Sequence, residues 1–238
     1  MLFPAGLIAS VSGGVSPPTF GTGTSATIAP NAPTQTNAGH TSAGGDLAVR
    51  MIGRCVTASL ATLEVTWNGV ALVERIKVIA PRAGGAFCWI GTIKGGATGN
   101  RTLSITGKKA DGTTTSIGKI CLRYVDLVGW SGAVGAVSPS NSTAYFTSAR
   151  TSFAASLTTE GTSYPIIGVA GVIHGGGDPF TTTGWSQTAT IDTGADPDTD
   201  TAAVFVTKTG GAAGTVETLT MGFSVSTDDG AIALLELG

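Results

Sequence analysis

The sequence predicts an all-β protein: a two-sheet antiparallel β-sandwich of jelly-roll-like form, preceded by an extended N-terminal arm. Three observations carry this. Apolar residues recur with a period of two from Asp46 onward. No segment keeps a 3.6-residue period, and only five Glu occur in 238 residues, which leaves a helix without its usual surface residues. The 36 Gly fall largely between the alternating runs, where turns belong.

Residues 1–45 contain no Asp, Glu, Lys or Arg and are mostly Gly, Ser, Thr, Pro, Ala and Asn after the first eight. Such a stretch has too little apolar surface for a core of its own, and too little charge for an ordinary solvated tail. It is read as an arm that docks on another subunit, with Leu2, Phe3, Leu7 and Ile8 as its anchoring side chains, and the competing reading is a loose leader or a first edge strand. The sandwich is expected over residues 46–238 as one domain.

Within it, Leu47, Val49 and Met51 alternate with Ala48 and Arg50, and Leu63, Val65 and Trp67 with Glu64 and Thr66. Ile76 and Val78, Phe87, Trp89 and Ile93, Leu103 and Ile105, Ile120, Leu122 and Tyr124, and Leu219 and Met221 continue the pattern. Asn68-Gly69, set between Val65-Thr66-Trp67 and Val70-Ala71-Leu72, predicts a hairpin with a two-residue type I′ turn, since both positions tolerate positive φ. Lys109 to Thr113 and Thr227 to Gly230 read as further turns, the second opening a closing strand from Ala231 to Leu237. The stretch from Val128 to Glu160 is read as a long crossing connection or a subunit contact.

Composition limits the function. A net charge of −2 with only 13 basic residues gives no footprint for a phosphate backbone, so nucleic acid is excluded as an expected partner. The first basic residue is Arg50, which predicts no secretory leader, and no run of 18 residues is continuously apolar, which predicts no membrane-spanning helix. Cys55, Cys88 and Cys121 have no metal-type spacing and are expected as buried free thiols.

Few motifs suggest chemistry. Gly112 to Lys119 has five residues between its glycines and leads into a strand, where a phosphate loop requires a helix. A serine triad would need His174, for which no nucleophile elbow or orienting acid is evident. Asp196, Asp198 and Asp200 alternate in an acidic run and could offer oxygens to Ca²⁺, though without the glycine and terminal Glu of an EF-hand loop. Otherwise no cofactor is expected. Trp130 and Trp185 lie among glycines and are the candidates for an exposed glycan-stacking platform.

Leu63 to Leu72, the apolar strand Ala86 to Ile90, Gly99 to Thr106 and Ile120 to Asp126 together resemble the jelly-roll or lectin-like sandwiches of tailed-bacteriophage virion surface proteins, such as head spikes, tail fibres and decoration proteins. The resemblance spans residues 46–127 and carries no active site. It implies a structural virion protein, homo-oligomeric, bound to other capsid or tail proteins through its N-terminal arm and in contact with host glycans. A mean hydropathy of +0.30 with 12% charged residues, against about a quarter in ordinary domains, points the same way, toward a surface covered by neighbours. The competing expectations are a stand-alone carbohydrate-binding module and, behind it, a polysaccharide hydrolase.

Overall fold

The computed structural model describes residues 16–28, 31–137, 145–146, 150–173, 180–193, 200–227 and 229–238. Among these residues every regular element is a strand. The first half contains β1 (Thr19–Ile28), β2 (Thr34–Ser42), β3 (Leu47–Cys55), β4 (Thr62–Trp67), β5 (Val70–Ala71), β6 (Val73–Ile79), β7 (Ala86–Ile93), β8 (Gly99–Lys108) and β9 (Ile117–Val128). The second contains β10 (Val134–Val137), β11 (Tyr145–Phe146), β12 (Arg150–Thr158), β13 (Pro165–Ile173), β14 (Thr181–Thr182), β15 (Ser186–Asp192), β16 (Thr201–Thr209), β17 (Val216–Thr227) and β18 (Asp229–Leu237).

Each half makes its own sandwich, and all the pairings are antiparallel. In the first, an inner sheet of order β1-β9-β3-β7-β6 packs on an outer sheet of order β2-β8-β4-β5. In the second, an inner sheet β10-β18-β13-β16-β15, with β11 also on β18, packs on an outer sheet β12-β17-β14. The two inner sheets then stack on each other. The all-β sandwich class therefore holds, and it is doubled into a pile of four sheets.

Three cores separate the four layers. Val49, Met51, Trp67, Trp89, Leu103 and Tyr124 fill the first sandwich. Ile52, Cys88, Ile90, Val169, Phe205 and Ala233 fill the space between the inner sheets, and Val172, Val204, Leu219, Met221 and Leu234 fill the second sandwich. Side chains alternate across a strand, so β3 sends Val49 and Met51 one way and Ala48 and Ile52 the other, and both sets are buried. The same double burial makes every residue of β7 and β13 inaccessible.

The expected arm is corrected over part of its length. Residues 19–28 and 34–42 form β1 and β2, which pair with β9 and β8 inside the first sandwich. Gln35 ties the second of these down by donating to the Ile117 and Gly118 carbonyls at 2.9 Å each. A segment without charge here is a pair of strands whose Thr side chains suit a sheet and whose backbone is satisfied by ladders. The domain thus includes residues placed before the expected boundary at 45. The anchors Leu2, Phe3, Leu7 and Ile8 lie outside the described residues.

The Asn68-Gly69 hairpin forms as the sequence predicts: Trp67 pairs with Val70, and φ is 51° at Asn68 and 80° at Gly69. After Leu72 the chain leaves the outer sheet and crosses to the inner one as β6, so the hairpin's second strand is only two residues long. Trp89 on β7 lies back over Gly91, where a Cβ would sit 2.0 Å from the ring. Gly91→Ala should therefore cost about 1–3 kcal/mol through overpacking, measured as a lower urea midpoint at unchanged slope.

Candidate functional site

The two tryptophans expected to face solvent do not. Gly129 and Gly132, with φ of 73° and 97°, turn the chain around Trp130 and fold it inward to 2% exposure. Its indole N–H donates to the Ala133 carbonyl, and the Arg75 and Lys94 cations stand 5.9 and 5.8 Å from its ring. Trp185 is 8% exposed, donates to the Thr218 carbonyl at 2.9 Å and packs with Phe180, Leu219 and Met221 under the Lys208 ammonium. The glycine-rich turns allow a loop to close over a large ring. Neither indole offers a free face for stacking on a sugar, which corrects the expected platform. Trp67 and Trp89 are buried, as their strand parity indicates.

Of the acidic run, Asp196 and Asp198 lie outside the described residues. Asp200 is buried at the start of β16. Its Oδ1 accepts from the Thr193 hydroxyl at 2.6 Å and the Thr201 N–H at 2.9 Å, closing the neck of the β15–β16 connection. Its Oδ2 is buried with no donor on it among the described residues. Burial, and then the neighbouring Asp192 carboxylate, push the Asp200 carboxyl up to about 6. Among the described residues no three His, Cys, Asp or Glu side chains gather to hold a metal ion.

The folded chain thus binds a proton at Asp200 that the unfolded chain releases between about pH 4 and pH 6. Its stability falls across that window as pH rises, and the penalty is fully present above it. Asp200→Asn keeps an acceptor for Thr193 and Thr201 without the charge. It should remove a loss on the order of 2 kcal/mol between pH 4 and pH 7, seen as a flatter plot of denaturation free energy against pH.

The densest buried polar cluster was not foreseen. His40 on β2 is fully buried, with its ring stacked on Tyr124 at 5.0 Å and 4°. Its Nε2 lies 3.2 Å from Asp126 Oδ1 and its Nδ1 lies 3.1 Å from the Thr24 hydroxyl. Asp126 also accepts from the Ser42 hydroxyl at 2.8 Å and the Ala43 N–H at 3.1 Å. Hydroxyl, imidazole and carboxylate stand in the order of a nucleophilic relay, yet here they fasten β1, β2 and β9 together inside the first sandwich. The available signal was His40 itself, a group needing two partners in a segment that carries no charge. His174, the other histidine, lies outside the described residues. Asp126→Ala would strand Ser42, Ala43 and His40, and should cost at least about 2 kcal/mol in urea denaturation.

Arg50 is the largest buried cation. It crosses between the inner sheets, donates from Nη1 to the Gly168 and Val206 carbonyls at 3.0 and 2.8 Å, and lies over the Phe205 ring at 5.6 Å. Burial, with the Arg123 cation beside it, lowers its pKa to about 9. Cys88 and Cys121 likewise donate across this gap, to Val169 and Thr201 carbonyls. Burial raises the Cys55 thiol to about 12 and pushes the other two thiols up as well.

An open cleft of about 390 Å³ lies where the halves join, lined by Ser131, Val134, Glu160, Gly161 and Tyr164 among others. Beneath it Glu236 is fully buried and accepts from the Glu160 and Gly161 N–H groups at 2.8 and 3.1 Å. This carboxylate pins the loop that leads into β13.

Set against protein-family models, curated proteins and solved structures, the chain matches none.

Proposed function

We propose that this chain is a structural protein of a tailed-bacteriophage virion, a rigid surface body held on the particle through its first fifteen residues. The observation that carries the reading is the use made of the buried polar groups. Asp126 and Glu236 fix loops, Arg50 bridges the inner sheets, and Arg82 clasps Asp229 from one half to the other. Every one of these groups holds backbone or sheets in place, which suits a load-carrying part.

The low charge supports the reading less than composition suggested. The central strands β3, β7, β13 and β18 of the two inner sheets are buried on both faces, and that reduces the need for charged side chains. The uncharged segment before Thr19 retains its argument: an arm lying against a neighbour avoids burying unpaired charge. With residues 46–127 resembling virion sandwiches, its partner is another capsid or tail protein. Burial of Trp130 and Trp185 leaves the glycan-binding alternative without its platform.

Removal of residues 1–15 should leave the melting transition within about 2 °C of that of the full chain and abolish incorporation into particles assembled alongside it. Incorporation at the full-chain level would overturn the anchoring role.

A further inference from the structure

We propose that the chain is a tandem duplication of one sandwich module, and that the face between the inner sheets is a pairing surface on which one module takes the second as its partner. The inference is independent of the virion reading. Exchanging β1, β9, β3, β7 and β6 for β10, β18, β13, β16 and β15 turns the order of the first inner sheet into that of the second. The same exchange turns β2-β8-β4 into β12-β17-β14.

Register follows topology. Leu47 on β3 pairs with Asp126 on one side and Ile93 on the other, and Ile166 on β13 pairs with Glu236 and Lys208. Asp126 and Glu236 are therefore equivalent: Asp126 accepts the Ala43 N–H from the loop entering β3, and Glu236 accepts the Glu160 and Gly161 N–H groups from the loop entering β13. Gly95-Gly96-Ala97-Thr98-Gly99 follows β7, and Gly210-Gly211-Ala212-Ala213-Gly214 follows β16. Their last glycines have φ of 81° and 87°. Gly96 donates to the Gly45 carbonyl and Gly210 to the Tyr164 carbonyl, and the register matches Gly45 with Tyr164. Shared fold alone does not require loops, caps and left-handed positions to coincide.

The central contacts between the halves map onto themselves under the same exchange, and only the edge contact of β1 on β15 lacks a counterpart of similar extent. β3 lies on β13 at the centre. β7 and β6 pack on β18, while β16 and β15, their counterparts, pack on β9; β7 on β13 is matched by β16 on β3. A contact set that is largely its own image is that of an isologous, two-fold interface, the kind formed by two copies of one unit. Its surface is apolar, with Ile52, Cys88 and Ile90 facing Val169, Phe205 and Ala233, so a module alone would expose a broad hydrophobic face. Most polar crossings are donated by the first module, through Arg50, Arg82, Cys88 and Cys121, with the Thr201 hydroxyl donating back to the Lys119 carbonyl, and this imbalance distinguishes one partner from the other.

The test is to insert a protease site between Ser131 and Gly132 in the full chain, cut it after folding, and follow mass by sedimentation and folding by circular dichroism. The two pieces are expected to remain a folded 1:1 complex at micromolar concentration. Ile52→Glu in the same cut protein should weaken the complex at least about a hundredfold while both pieces keep their strand signal. Pieces that part as folded monomers at micromolar concentration, a piece that unfolds once cut, or an Ile52→Glu complex of unchanged affinity would each overturn the proposal.

Discussion

The stacking of one inner sheet on the other is the constraint that the remaining structure obeys. It takes water from both faces of β3, β7, β13, β16 and β18, so those strands need apolar side chains at successive positions as well as alternate ones. It also makes any polar group in them expensive unless fully partnered. Arg50 meets this in part, giving two hydrogen bonds from Nη1 to carbonyls across the gap while its buried Nε and Nη2 have no hydrogen-bond partner among the described residues, and Glu236 accepts two N–H groups. The close approach of the layers leaves no room for a side chain at Gly171, where a Cβ would stand 2.4 Å from the Ala202 carbonyl and 2.8 Å from Ile52.

What could be read beforehand follows from this layering. Strands β4 and β8, each with one wet face, show clean alternation, and their hairpin and core tryptophan were legible from Leu63 to Ile105. The continuous apolar runs Ala86 to Ile90 and Pro165 to Ile173 signal strands but carry no information about which face meets which layer. Their double burial is what distinguishes four sheets from two, and it emerges only in three dimensions. Strands β1 and β2 could be read only as one alternative among arm, loose leader and edge strand, because Thr, Gly and Ser dominate them and mark turns and loose segments as readily as edge strands. Their partners, β9 and β8, lie more than fifty residues away in the sequence.

Site residues were less legible than strands for a related reason. Gly-rich surroundings suggested exposure for Trp130 and Trp185, yet glycine's freedom lets a loop curl over a ring as easily as away from it. The cluster around His40 joins Thr24, Ser42, Tyr124 and Asp126, two segments more than eighty residues apart, and no local motif announces it. Asp200 was recognised as a carboxylate of interest. Its job of closing a neck between strands depends on Thr193 and Thr201 facing it, which the spacing alone does not reveal.

The three cysteines have a practical side. All are buried within the two cores that flank the first inner sheet, and burial holds each thiol in its protonated, unreactive form near neutral pH. The chain folds around reduced sulfur without needing a bridge, and it tolerates an oxidising or a reducing medium alike. A single cysteine introduced on an outer turn, such as the one at Asp111, would outpace the native three toward a maleimide dye, giving a singly labelled protein with no background substitutions.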